Sequence, residues 1–297
     1  MYSEITANKR RSFILVALFS AIVIGLGWVF GAQAGEDGGT MGIILAVIIC
    51  VIMNLIGYYK GDSVALMTSG AKPLEKSQNP ELYNLVENLA ITDGLPTPKI
   101  YIIDDASPNA FATGRDPQHA SITVSSGLLK IMNKQELEGV LAHEMSHIKN
   151  FDIRLMTMVV VLVGTIMLLS DVLIRSLGRR RGNSDNGQLQ LILFLIGLAL
   201  ALLSPFIAEL LKLAVGRQRE YLADASGALL TRYPEGLALA LEKIAKIDQP
   251  MTRANHATAH LFIANPFDPF VTKKFEHFFS THPPIQERIA RLRKMGI

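Results

Sequence analysis

The chain has 297 residues, 49% hydrophobic and only 19% charged, with a mean hydropathy of +0.30. Such a composition excludes a disordered chain and departs from an ordinary soluble domain, where about a quarter of the residues are charged. Lys and Arg (29) nearly balance Asp and Glu (26), so there is no concentrated basic face of the kind nucleic-acid binding needs, and no nucleic-acid partner is expected. The single cysteine, Cys50, lies inside an apolar run, which excludes an intrachain disulfide and a cysteine-based zinc site.

Four apolar runs are long enough for a bilayer, which takes about 20 helical residues. Phe13–Gly31 and Met41–Tyr59 are uncharged, the second ending in the interfacial pair Tyr58-Tyr59. Leu155–Ile174 carries Asp171 near its end; Leu189–Leu211 is interrupted by Ser204-Pro205, where a kink is expected, and carries Glu209. Both acids lie near span ends, where snorkelling or pairing with Arg175 or Lys212 lowers their cost. Lys9-Arg10-Arg11 before the first run and Ala32-Gln33-Ala34 after it imitate a signal peptide. The apolar core exceeds the 7–15 residues of a signal, so the run reads as a retained span. Lys9, Arg10 and Arg11 place the amino terminus in the cytosol, and Lys60, Lys72 and Lys76 place the segment after the second span there too. The loop with Arg175, Arg179, Arg180 and Arg181 disagrees with an outside location, so the second hairpin either crosses despite its charge or is shallow.

This predicts four regions: a transmembrane hairpin over 1–59, a first catalytic part over 60–153, a second hairpin over 154–214 and a second catalytic part over 215–297. In the first catalytic part, Asn79-Pro80-Glu81 predicts a helix start, Leu82, Leu85, Val86 and Leu89 its buried stripe, and Gly94 its end. Lys99–Ile103 and Ser121–Ser125 predict short strands, with Asn109–Thr113 a weaker one between them. A second helix is predicted from Asn133, with Glu136 three residues on completing a capping box. The fold class is mainly α with a small β-sheet, an α+β arrangement in an integral membrane protein with about four transmembrane helices.

That second helix carries His143-Glu144-Met145-Ser146-His147. Residues four apart share a helical face, so both imidazoles can grip one ion, and Glu144 stands beside it, where a carboxylate can take a proton from water. A third ligand has to come from another element. In Arg217–Asp224, Glu220 can bind the metal and Asp224, one turn on, can accept a ring N–H from a ligating histidine. Alone, such a pair of acids is a weak pattern; the pentad gives it meaning.

These segments, with Asn109–Gly114, Ala257–Phe262, His282-Pro283-Pro284 and the four-span layout, resemble the HtpX-type membrane zinc endopeptidases, of the larger group that includes the Ste24 prenyl-protein proteases. The resemblance covers nearly the whole chain. It implies a zincin-like catalytic domain, one Zn2+ per chain held by His143, His147 and Glu220, and Glu144 as general base. It also implies a multi-pass protein of the bacterial plasma membrane with its catalytic domain in the cytosol, stress-response degradation of damaged or misassembled membrane proteins and unfolded polypeptides, and self-cleavage. Were the ligand-bearing helices continuous with spans three and four, the eight and nine residues separating His147 from Leu155 and Leu211 from Glu220 would place the ion about 12–14 Å from the bilayer.

Asn109, Ala110, Phe111 and Ala112 are read as an edge strand receiving extended substrate by backbone pairing. His282, held rigid before two prolines, either donates to an oxyanion or caps the helix of Ile285, Ile289 and Leu292. His256 and His260 share a helical spacing, but Ala257 stands where a base would be, so they read as spacing alone. His119 and His277 read as surface residues, Met53, Met156, Met158 and Met167 as packing, and Arg288, Arg291, Arg293 and Lys294 as a solvated basic helix face near the membrane.

Overall fold

The computed structural model describes residues 2–32, 35–164, 216–247, 249–253, 257–267 and 283–295. The fourth apolar run, the part of the third beyond residue 164, Met167, Asp171, Glu209, Pro205, the arginine-bearing loop, His256, His277 and His282 lie outside them.

The first two apolar runs belong to α1 (Tyr2–Gly31) and α2 (Gly38–Ser69), each long and apolar enough to cross a membrane. They form a tight antiparallel pair because their glycines face one another. A Cβ on Gly42 would sit 2.0 Å from the Gly27 carbonyl oxygen, and one on Gly31 2.1 Å from that of Gly38. Small residues four apart are what lets helix backbones touch where no hydrophobic effect drives them together. The outer faces are apolar and bare, with Phe13 72% and Leu45 60% exposed, a surface that water does not tolerate at this extent.

Beyond α2, Lys72–Pro73 forms β1 and Pro80–Asp93 forms α3. The α3 boundaries follow the sequence signals: Asn79 accepts from the Leu82 N–H at 3.0 Å, Pro80 opens the helix, and Gly94 closes it at φ 69°. Strands β2 (Lys99–Ile103), β3 (Ala110–Gly114) and β4 (Ala120–Ser125) complete a mixed sheet of order β1-β2-β4-β3, with β2 and β4 parallel and the other pairs antiparallel. Gly114, at φ 139°, is where only glycine fits, since a Cβ would lie 2.3 Å from the His119 carbonyl.

Helix α4 (Ser126–Ile131) leads into α5 (Lys134–Lys149), whose capping box forms as predicted: Asn133 accepts from the Glu136 N–H at 2.9 Å and the Glu136 carboxylate from the Asn133 N–H at 2.8 Å. Lys243 joins it with an ion pair to Glu136 at 2.6 Å. A further helical stretch, α6, is described over residues 152–164. Then come α7 (Arg217–Thr231), α8 (Pro234–Lys246) and α9 (Ile285–Arg293). One core draws Leu82, Val86, Ile122, Val140, Leu141 and Met145 together with Leu237, Leu241, Ile289 and Leu292, so residues from both predicted catalytic parts of the chain bury one another.

Two expectations are corrected. The helix that carries the pentad does not run on into the third apolar run: α5 ends at Lys149, and Phe151, a non-glycine at φ 60°, turns the chain before α6. Nor does α7 continue a helix from Leu211, because Gly216 is extended at ψ 128°. The described half of the third run is buried rather than facing lipid, Leu155, Met158, Val159 and Leu162 packing on Leu15 and Phe19 of α1.

Candidate metal centre

Helix α5 packs against α7, and the contact is closest at the site itself. Glu220, Asp224 and Gly227 fall on one stripe of α7 by the i, i+4, i+7 rule. A Cβ on Gly227 would lie 2.9 Å from the His143 backbone nitrogen, so glycine lets α7 press its acids onto the histidines.

The two Nε2 atoms of His143 and His147 are 3.2 Å apart. The Glu220 carboxylate reaches both, Oε1 at 3.5 Å from His147 Nε2 and Oε2 at 3.8 Å from His143 Nε2. Donors sharing a tetrahedral ion at about 2.0–2.2 Å are about 3.3–3.5 Å apart, so the donor set fits a small divalent cation, and all three residues are buried. Two facing ring nitrogens and a carboxylate shut away from water are costly unless a proton or a metal joins them.

The other ring nitrogens are held. Asp224 Oδ1 lies 3.0 Å from His143 Nδ1, and Asp152 Oδ2 lies 2.9 Å from His147 Nδ1. A carboxylate cannot donate, so each Nδ1 carries a hydrogen and each Nε2 is the nitrogen turned inward. Each carboxylate has its own cation. Arg288 grips Asp224 with two bonds, Nε to Oδ2 at 2.9 Å and a terminal nitrogen to Oδ1 at 2.7 Å, and also donates to the Ile263 carbonyl at 3.2 Å. Arg219 donates Nε–H to Asp152 Oδ1 at 2.8 Å.

Burial would lower the His147 value, but the bond to Asp152 and the Glu220 charge outweigh it and hold the ring at about 9. Burial raises Glu144 above the usual carboxylate range, against the pull of His143 and His147. Burial also opposes ionisation of Asp152 and Asp224, yet His147 and Arg219 keep the first low and Arg288 and His143 the second. Glu144 Oε2 is buried with no hydrogen-bond partner among the described residues. A buried carboxylate oxygen left unsatisfied beside a set of possible metal donors calls for a functional explanation.

Of the residues singled out in the sequence, His143, Glu144, His147, Glu220 and Asp224 are brought together here; His282 lies outside the described residues. Ala110, Phe111 and Ala112 lie along β3, the terminal strand beside α5, and Asn109 immediately precedes it. The Ser125 N–H bonds the Asn109 carbonyl, so alternate residues Ala110, Ala112 and Gly114 turn their backbone polar groups to the outer edge. There the Ala110 carbonyl accepts from the Ile263 N–H at 2.9 Å and the Gly114 N–H donates to Thr157 Oγ1 at 3.2 Å. The Asn109 side chain is spent on both backbone groups of Ala264. The whole strand is buried.

His260 is buried with Nε2 on the Met156 carbonyl at 2.9 Å, while His119 is half exposed beside Asp116. Arg288 corrects the solvated reading of the last helix: it is 0% exposed, among the largest fully buried side chains of the described residues. Its sequence signal was its place inside the apolar stripe of Ile285, Ile289 and Leu292. Asp152 was missed as well; an acid just past the end of a histidine helix was the available hint.

A family model described as peptidase family M48 matches residues 76–296. A "Protease HtpX homolog" from Dictyoglomus turgidum is 49% identical over 99% of this chain and 95% of its own length. Another, from Caldanaerobacter subterraneus subsp. tengcongensis, is 46% identical over all of this chain and 98% of its own. The crystal structure of Ste24p from S. mikatae matches with a TM-score of 0.51 at 20% identity, over 98% of this chain and 67% of that one, a likeness of fold.

Proposed function

Since the chain belongs to peptidase family M48, as a metallopeptidase with membrane-associated helices, we propose that it is a zinc-dependent endopeptidase of the bacterial plasma membrane, acting at the cytosolic face on membrane proteins and unfolded polypeptides. The observation that carries this reading is the convergence of His143, His147 and Glu220 beside the unpartnered Glu144 oxygen.

His143, His147 and Glu220 would hold one zinc ion. When bound, the ion polarises the scissile carbonyl and makes water a better acid. Glu144 Oε2 takes the proton of the attacking water and returns it to the leaving amine, a task suited to a carboxylate whose burial keeps its proton affinity high. Asp224 and Asp152 keep the two rings turned the right way throughout.

The reading extends to the whole chain as four spans, with 1–59 and 154–214 as hairpins and a zincin-like catalytic domain built from 60–153 and 215–297. Asn8 of α1 bonds the carboxylate that holds His147, and the uncharged run of that helix begins five residues later at Phe13. At 1.5 Å per residue that step along the helix is about 8 Å, and adding the Asp152 and His147 side chains between Asn8 and the ion supports a site about one to two nanometres from the bilayer edge, which suits loops and tails of membrane proteins as substrates, the chain's own included. An extended substrate would pair with β3 along Asn109–Ala112, displacing the Ile263 segment from the Ala110 carbonyl. His282, which lies outside the described residues, would either donate to the oxyanion or cap the helix of Ile285, Ile289 and Leu292.

The test is incubation of the purified full-length protein with an unfolded membrane protein, with and without chelator, beside Glu144→Gln. Cleavage is expected only from the ion-loaded wild type, while Glu144→Gln keeps its zinc. Cleavage by Glu144→Gln removes the assigned mechanism, and no cleavage by the zinc-loaded wild type leaves a protein that holds clients without cutting them.

A further inference from the structure

The amino-terminal end of α1, which precedes the first apolar run, is built into the support of the metal centre. Asn8 is buried, and its Nδ2 donates to Asp152 Oδ1 at 2.5 Å and to the Asn150 carbonyl at 3.0 Å. Asp152 presents its other oxygen to His147 Nδ1 at 2.9 Å. Next to Asn8, the Lys9 ammonium stands 4.5 Å from the centre of the Phe151 ring. Two consecutive residues of α1 thus hold three consecutive residues, Asn150, Phe151 and Asp152, at the point where α5 ends.

That point needs holding. Phe151 sits at φ 60°, a left-handed conformation that is costly for a bulky L-residue, and such a turn persists only where its surroundings impose it. Asp152 also receives Arg219 on the oxygen that Asn8 uses; without the amide the carboxylate can swing toward that guanidinium and leave the ring. The helix that anchors the chain and the residue that fixes a ligand ring are therefore joined by one side chain.

On the reading that His143, His147 and Glu220 bind zinc, we propose that Asn8 is a positioning residue for the metal: it clamps Asp152 against His147, so that metal affinity depends on the seating of the first membrane helix. Outer partners of a metal ligand typically change affinity by about 10–100-fold when removed, and Asn8, one bond further out, is expected to change it by about three- to tenfold.

The full-length protein in detergent is titrated with zinc against a chromophoric chelator, and with cobalt(II) followed by its visible absorption, for wild type, Asn8→Ala, Asn8→Asp and Asp152→Asn. The expected order of affinity is wild type, then Asn8→Ala, then Asn8→Asp, whose charge repels Asp152, with the cobalt band shifted in both Asn8 variants. A residue that merely supports folding would lower the melting temperature without moving the band. Asn8→Ala and Asn8→Asp within twofold of wild type, with Asp152→Asn weakened, overturns the clamp alone; a wild type that binds neither ion overturns the metal centre itself. If Asn8→Ala does not fold, Asn8→Ser is read in its place with the same two outcomes.

Discussion

At the scale of single residues, the site is a ladder of buried charges in which each group fixes the next. Arg288 fixes Asp224, Asp224 fixes His143, and Asp152 with Arg219 does the same for His147. Arg288→Met strands a buried carboxylate, which costs about 3–5 kcal/mol; a lower melting temperature for the ion-free protein is the expected result. Arg288→Lys should restore little, since a point charge cannot make both bonds to Asp224. The His147 ring has its own signature. Its folded value of about 9 lies above its unfolded 6.5, so the ion-free fold gains stability that is fully present below pH 6.5 and lost as pH rises through about 9, on the order of 3 kcal/mol. Glu144, raised by burial, loses stability in the same direction. Denaturant unfolding of chelator-treated protein at about pH 6 and about pH 10 reads this, and equal midpoints would contradict it. A metal ion taken up by His147 would have to displace that proton, so metal affinity should climb over the same range.

Glycine contacts set the geometry at the level of helices. Gly227→Val drives a branched side chain into the His143 backbone and should part α7 from α5, abolishing metal binding while far-UV circular dichroism stays near wild type; retained affinity would mean that the approach is not required. In the membrane pair, Gly42→Ile meets the Gly27 carbonyl and should separate α1 from α2, seen as loss of a disulfide between cysteines placed at Ser20 and Asn54, whose side chains are 3.2 Å apart, in a protein whose Cys50 is replaced. Which elements could be read from sequence follows from the same physics. Helices α3 and α5 announced themselves because caps and apolar stripes are local signals, as did the pentad. Glu220 was legible only through the pentad, because a single acid on a helix has no meaning until a partner is known. Asn8 and Arg288 were not legible as supports: each is one polar residue from a distant part of the chain, and what buries it is tertiary; Asp152, five residues past His147, offered only its place just beyond the histidine helix. The break at Phe151 carried no signal at all, since phenylalanine has no preference for a left-handed turn.

For the molecule as a whole, the α1–α2 pair with its bare apolar outer surface, the small mixed sheet and the helical layer around the histidines make one connected structure. The 35–37 turn between α1 and α2 lies at the opposite end of both helices from Asn8. In intact cells a cysteine at Glu36 should therefore react with a membrane-impermeant thiol reagent, while one at exposed Lys76 should not until the membrane is opened; the reverse pattern would invert the proposed orientation. The dependence of Asp224 on Arg288 also has a meaning for biosynthesis. Ribosomes deliver His143, His147 and Glu220 well before Arg288, and for that interval the nascent chain has every donor for the ion while Asp224 still lacks its guanidinium. The support of the site is thus completed by one of the last parts of the chain to be made, after every ligand is already in place along it.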